Sequence, residues 1–167
     1  MANIIPTRPR QLSQRRSFAI VSSQYNAPYV RGLVDFASRE LDLLAPGADI
    51  EKHEVPGAFE IPIVVQEIAE RGGVDAILAL GVIIQGETQH ADLIGQAVTQ
   101  ALLECGLRYR VPVVHEVLLV RDEEQARQRC LELDMNRGVE AARVAVRVLQ
   151  TLNGLRTRGD HRHGQTP

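Results

Sequence analysis

Apolar positions along this chain alternate between two rhythms, short continuous runs and helical stripes. Phe18 to Ser23 is a short apolar run that reads as a buried strand, closed by Gln24-Tyr25-Asn26. Pro28 then stands where a helix can start, and Val30, Leu33, Val34, Ala37 and Leu41 recur at helical spacing until Pro46-Gly47 ends the unit. Asp49 to Val55 alternates like a half-exposed strand. Pro56 and Pro62 bracket a stiff turn, and Ile63, Val64, Ile68 and Ala69 continue as a helix broken at Arg71-Gly72-Gly73. Ala76 to Ile84 is apolar on both faces, interrupted only by Gly81, as a parallel strand covered by helices on each side requires. Gln85-Gly86 leads to a helix start at Thr88, and Leu93, Ile94, Ala97, Val98, Ala101, Leu102 and Cys105 form the stripe of a long helix. Pro112 to Val120 is a fourth strand, and helices over Asp122–Leu131 and Asn136 to about Leu152 complete the pattern.

Four β units alternating with helices predict an α/β fold with right-handed crossovers. The expected architecture is a three-layer, flavodoxin-like sandwich: a four-stranded parallel sheet with helices on both faces. A single domain over residues 17–154 holds all of it. Residues 1–16, with Pro6 and Pro9 among Arg8, Arg10, Arg15 and Arg16, read as a flexible, solvated arm, the other reading being contact with RNA or a neighbouring subunit. Residues 155–167 lack any apolar period and read as a disordered tail, which makes His161 and His163 tail residues rather than a metal site.

Composition narrows the chemistry. With 44% hydrophobic residues, 4% aromatic residues and no Trp, the core must be aliphatic. A net charge of −2 argues against a dedicated nucleic-acid binder. Cys105 and Cys130 lack metal-like spacing and read as reduced core thiols. That, with no signal region and no membrane-length apolar segment, points to the cytoplasm. Lys52 is the only lysine, and its alternating flanks suit a strand, not a phosphate loop, which sets aside both lysine Schiff-base and P-loop chemistry. No G-x-G-x-x-G or G-x-x-x-x-G-K-[ST] motif is present.

A strand, a Gly turn and a helix start, Ala76 to His90, mark where an open α/β sheet presents its binding crevice. Backbone N–H groups at such a helix start attract anions, phosphate above all. His90 falls in the first turn, where a ring is either a surface or capping residue or is placed to accept or relay a proton. Glu60 is either a carboxylate favoured by its helix dipole or a ligand-binding group, and Gly57 beside it lets the backbone approach something closely. The polar pair His115-Glu116 either marks a sheet edge or lines a pocket.

Three separated segments, in order, resemble one family. They are Val55-Pro56-Gly57-Ala58-Phe59-Glu60-Ile61-Pro62, then Gly81 to His90 in the form G-x-[VI]-I-x-G-x-T-x-H, then Asn136-Arg137-Gly138-Val139-Glu140-Ala141-Ala142. The family is 6,7-dimethyl-8-ribityllumazine synthase, the penultimate enzyme of riboflavin biosynthesis, and the similarity runs from about Phe18 to Leu152. It implies a condensation of 5-amino-6-(D-ribitylamino)uracil with 3,4-dihydroxy-2-butanone 4-phosphate, releasing phosphate and water with no metal or organic cofactor. The resemblance places His90 as the proton-transfer residue. Tyr25 stacks on the pyrimidine with Asn26 beside it; Ala58, Phe59 and Glu60 contact the ribitylaminouracil, as do Val82, Ile83 and Ile84 through backbone. His115 falls where many members carry Phe against the pyrimidine. Glu87 and Thr88 offer N–H groups to the butanone phosphate, and Arg129 pairs with that phosphate bidentately.

Four positions depart from the family pattern: Gln85 for an Arg, Glu87 as an added negative charge, His115 for Phe, and Arg137 for Lys. The resemblance further implies small-molecule substrates, no nucleic acid, no membrane, riboflavin synthase as a partner, and a homo-oligomer. Members form pentamers, some going on to decamers or hollow sixty-subunit shells, with His115 and Arg129 supplied to each site by the neighbouring subunit. Two readings from other classes compete: a flavodoxin-like scaffold or binding module that has lost catalysis, motivated by Gln85, Glu87 and His115, and a flavin-binding regulator.

Overall fold

The computed structural model describes residues 5–86 and 89–160. Its elements run β1 (Ser17–Ser23), α1 (Ala27–Leu44), β2 (Asp49–Val55), a 3₁₀ turn (Ala58–Glu60), α2 (Ile61–Arg71), β3 (Ala76–Ile84), α3 (His90–Tyr109), β4 (Val113–Val120), α4 (Glu123–Cys130) and α5 (Arg137–Asp160). All strand pairs are parallel and the sheet order is β2-β1-β3-β4. The three-layer α/β architecture expected from the alternating pattern is the one formed.

Strand alternation divides the core into two layers. On β1, Phe18 and Ile20 face α1, α4 and α5, while Ala19 and Val21 face α2 and α3. β3 divides in the same way, Leu78 and Leu80 against Ile77 and Ala79, and all of these side chains are fully buried. Few aromatics means thin layers: Phe18 is the only aromatic in the core of the described residues, and branched aliphatics and alanines fill most of the rest.

Local chemistry sets the helix boundaries. Asp122 caps α4 through its carboxylate, which accepts from the Gln125 N–H at 2.7 Å. Asn136 is fully buried and serves two helices. Its Oδ1 accepts from the N–H groups of Gly138 (2.9 Å) and Val139 (3.2 Å), and its Nδ2 donates to the Cys130 carbonyl at 2.9 Å. That one amide caps the start of α5 and ties it to the end of α4.

Two expectations at the chain ends need correction. Residues 5–16 are not a solvated arm but lie along α1 and α5. Arg8 grips the buried Glu40 carboxylate with two bonds of 2.9 Å, and Arg143 of α5 reaches the same group at 2.7 Å. The Pro6 and Arg10 carbonyls accept from Arg143 and Gln150, the Leu12 N–H donates to Leu44, and Arg15 and Arg16 pair with Asp49 and Asp75. Polar composition predicts solvation, but each of these groups finds a specific partner on the folded domain. At the other end, α5 runs to Asp160, past the expected start of the tail at residue 155. Loss of the apolar stripe there ends burial, with Leu155 61% exposed, but no proline interrupts the segment and the helical backbone carries on. The rest of the tail, 161–167, lies outside the described residues, as do residues 1–4 of the arm.

Close packing of α1 on α5 depends on Gly138. A Cβ there would run into the Leu33 carbonyl and sit 3.1 Å from the Ala37 nitrogen, both backbone and unable to swing aside. Gly138→Ala is therefore expected to cost about 1–3 kcal/mol through overpacking. Guanidinium unfolding checks this: the midpoint should fall with the slope unchanged, and a midpoint equal to wild type would contradict the close approach.

Candidate active site

The sheet order places the chain's topological switch point between β1 and β3, because α1 leads from β1 to one neighbour and later crossovers lead the other way. Loops at the carboxyl ends of those two strands diverge and leave a crevice. Here the crevice is a cleft of about 710 Å³, walled by Tyr25, Asn26, Gly57 to Glu60, Val82 to Ile84, His90, Leu93, Ile94 and Ala97.

The loop after β1 is pinned on both sides. Asn26 adopts the left-handed conformation (φ 59°, ψ 38°), tolerable for Asn though rare for other non-glycine residues. Its side chain donates to the Val82 carbonyl on β3 at 2.8 Å, closing the seam between the two strands. Gln24 and Tyr25 donate their N–H groups to Val55 and Pro56 at 2.8 and 3.1 Å, so the loop after β2 is held in the same frame.

That second loop is shaped by a reciprocal pair. The Gly57 N–H donates to Glu60 Oε2 at 2.9 Å, and the Glu60 N–H donates to the Gly57 carbonyl at 3.3 Å. Glu60 therefore fixes the turn that presents Ala58 and Phe59, while remaining exposed at the cleft. The Tyr25 ring lies over Gly57: a Cβ there would be 3.1 Å from two ring carbons and 2.8 Å from Glu60 Oε2. Only glycine leaves room for that stack. Tyr25 and Phe59 keep 69% and 63% of their surface open, aromatic faces offered outward rather than packed.

His90 is the first residue of α3 and is exposed at the cleft rim, and the helix start beside it has backbone N–H groups without intrahelical partners. Among the described lining residues there is no Arg and no Lys. The far wall is apolar, with Leu93, Ile94 and Ala97 on the face of α3 that turns to the cleft. Hydrophobic spacing assigns those three to the core stripe; Leu93 is instead 62% exposed, a distinction periodicity cannot make. The arrangement suits a flat, polar-edged ligand stacked on Tyr25 and Phe59, with an imidazole at its edge.

Comparison with known proteins decides the family. A model of the family described as 6,7-dimethyl-8-ribityllumazine synthase matches residues 15–153, which include every lining residue of the cleft. The chain belongs to the lumazine synthase family. Relatives bearing that name include those of Burkholderia vietnamiensis strain G4 and Burkholderia cenocepacia strain HI2424, each 39% identical over 142 residues. The alignments cover 84% of this chain and 82% and 81% of theirs, respectively. A third, from Burkholderia ambifaria strain MC40-6, is 38% identical over the same length.

Set against the lumazine synthase expectations, the structure brings nine residues together: Tyr25, Asn26, Ala58, Phe59, Glu60, Val82, Ile83, Ile84 and His90 all line the cleft. Glu87 and Thr88 lie outside the described residues. His115 and Arg129 do not line this cleft. His115 sits on β4 with its ring against α3, where Nε2 lies 2.7 Å from Thr99 Oγ1 and Nδ1 accepts from the Val117 N–H at 3.2 Å. Thr99 Oγ1 in turn donates to the Gly95 carbonyl at 2.7 Å, so the consistent tautomer is neutral with the proton on Nε2. Arg129 is on α4, half-buried, and its Nη1 is shielded from solvent without a hydrogen-bond partner among the described residues. The Asn26–Val82 tie escapes sequence reasoning altogether, since an Asn after a strand signals only a turn.

Two measurements follow from this geometry. Gly57→Ala is expected to displace the Tyr25 ring, changing the intrinsic fluorescence of a protein whose emission comes from 3 Tyr and no Trp; an unchanged spectrum would count against the stack. Burial pushes the His115 ring below its ordinary pKa. The unfolded chain then binds a proton that the folded chain refuses, so stability should decline as pH falls below about 6.5. His115→Gln should flatten that decline, and ring nitrogen shifts should report the Nε2–H tautomer.

Proposed function

We propose that this chain condenses 5-amino-6-(D-ribitylamino)uracil with 3,4-dihydroxy-2-butanone 4-phosphate to give 6,7-dimethyl-8-ribityllumazine, phosphate and water. The observation that carries the reading is the cleft itself: an aromatic platform, the Gly57–Glu60 turn and an imidazole at a helix start converge in the matched segment of a lumazine synthase. Tyr25 and Phe59 hold the pyrimidine by its faces. Glu60 and the strand end at Val82 to Ile84 meet its polar edge and ribityl chain. Holding two substrates in register contributes much of the rate.

The amine of the first substrate is the nucleophile, so the protein supplies proton transfers rather than a covalent group. His90 takes a proton from the attacking amine and returns one as the first water leaves, giving the imine, and then assists departure of phosphate; the ribitylamino nitrogen closes the ring on the remaining carbonyl carbon with loss of a second water. The helix start at α3 and Arg129 bind the phosphate. No cofactor takes part in this scheme.

A single chain supplies only part of such a site. The cleft has no cationic side chain among its described lining residues, and Tyr25, Phe59 and Leu93 are largely uncovered. Both facts support a homo-oligomer, read here as a pentamer, in which the neighbouring copy covers the aromatic platform, bringing His115 to the pyrimidine and Arg129 to the phosphate. No helix among the described residues is long and apolar enough to cross a membrane, and the chain is read as cytoplasmic.

Turnover by the assembled protein, followed through product fluorescence, tests the proposal. His90→Ala should slow turnover by roughly 10²–10⁴-fold without abolishing it. Arg129→Ala should raise KM for the butanone phosphate by about ten- to a hundredfold, the loss of a charge-assisted pair, with little effect on KM for the uracil. A correctly assembled wild type that makes no product would refute the assignment.

A further inference from the structure

β4 is an edge of the sheet, so some of its backbone donors have no strand to meet. His115 answers one of them: its Nδ1 accepts from the Val117 N–H at 3.2 Å, two residues along the same strand. A ring nitrogen that accepts carries no proton, so the single proton of the neutral imidazole sits on Nε2. Thr99 Oγ1 lies 2.7 Å from that nitrogen, and the Thr99 hydroxyl directs its only hydrogen to the Gly95 carbonyl, also at 2.7 Å. The donors therefore run in one direction, from Val117 through His115 and Thr99 to Gly95.

This chain of bonds changes what the imidazole can do. Both nitrogens are occupied, so His115 has no free N–H and no free lone pair for a ligand. Only its flat face is left. A proton added at Nδ1 would break the bond from Val117, and burial lowers the pKa of the ring in the same sense. A bond at each nitrogen also fixes the plane of the ring, because hydrogen bonds weaken steeply as they bend. Without the Thr99 oxygen the ring is free to turn about its Cβ–Cγ bond or to exchange tautomers. A rotatable, titratable side chain is thus held as a neutral aromatic surface by a residue on α3.

The position of that surface fits a site shared between copies. Ile94 and Ala97 of α3 line the cleft, whereas Gly95, Gln96 and Thr99 border a groove between α3 and β4. At about 100° per residue these two sets fall on nearly opposite sides of the helix. One copy therefore shows its own cleft on one side of α3 and the ring held by Thr99 on the other.

We infer that Thr99 is a positioning residue for the uracil site: its hydroxyl holds the His115 ring in one plane and one tautomer, so that the ring offers the pyrimidine an aromatic face. This rests on the reading of His115 as a pyrimidine contact in the neighbouring subunit's site, and it adds a residue that the family resemblance does not assign. In the sequence Thr99 carries no signal, being one polar position within a long helix.

The test is steady-state kinetics of the assembled protein for wild type, Thr99→Val, His115→Phe and the double variant. Thr99→Val keeps the size of the side chain and removes its oxygen. KM for the uracil should then rise about three- to tenfold, the scale of one hydrogen bond, while KM for the butanone phosphate stays level. On the His115→Phe background no ring nitrogen needs an acceptor, so adding Thr99→Val should leave KM for the uracil where His115→Phe alone puts it. An equal rise on both backgrounds makes Thr99 a packing residue of α3 and overturns the inference, as does no rise on either. Thr99→Ser, which keeps the hydroxyl, should hold the wild-type KM, and a rise matching that of Thr99→Val contradicts the role of the oxygen. His115→Ala separates the inference from the reading beneath it. An unchanged KM for the uracil removes His115 from the site altogether, whereas a raised KM with a silent Thr99→Val removes only the role of Thr99. Should Thr99→Val fail to assemble, the ring nitrogen shifts of wild-type His115 decide: a proton fixed on Nε2 supports the network, and a proton on Nδ1, or exchange between the two, contradicts it.

Discussion

One hydrogen bond holds the functional end of this molecule together, that from Asn26 to the Val82 carbonyl at 2.8 Å. A parallel sheet that winds outward in two directions from its middle must part its loops between β1 and β3, and parted loops would not by themselves keep a fixed shape. Asn26 resolves this by accepting a left-handed backbone that aims its amide across the seam. Everything at the cleft is referred to that junction. Tyr25 precedes it in the chain, its ring rests on Gly57, Gly57 is held by Glu60, and Val82 leads to the strand end and the start of α3.

The fold was legible in the sequence because each element announces itself locally. Ala76 to Ile84 is apolar on both faces because both faces are covered, and Val30, Leu33, Ala37 and Leu41 mark the buried side of α1 because only that side packs. The chain ends were misread for a related reason. Polar composition measures solvent affinity, whereas residues 5–16 are placed by discrete partners such as Glu40, which no pattern identifies as the acceptor of both Arg8 and Arg143. Residues 155–160 show the converse, a helix that outlasts its apolar stripe.

The candidate site was legible as motifs but not as geometry. Gly57 and Glu60 stand out as a proline-bracketed turn, yet their reciprocal hydrogen bonds, which make Glu60 a shaper of the turn as well as a cleft residue, belong to three dimensions. His115 and Arg129 follow from resemblance alone, and on the folded chain they stand apart from His90. That separation has a physical meaning. A phosphate ester needs a cation, the described lining of the cleft has none, and the half-buried Arg129 lies apart from it on α4. The homo-oligomer proposed above joins the cleft of one copy to Arg129 of the next.

Subunit mixing tests that central claim most directly. His90→Ala and Arg129→Ala chains are co-assembled in equal amounts and assayed for lumazine formation at butanone phosphate concentrations below the wild-type KM, where each is impaired alone. If His90 and Arg129 meet across a subunit boundary, random mixing places an intact pair at about one site in four, and activity should rise well above either parent, toward one quarter of wild type. If both residues serve the site of their own chain, no mixed site is intact, activity stays at the mean of the parents, and the shared-site account is contradicted.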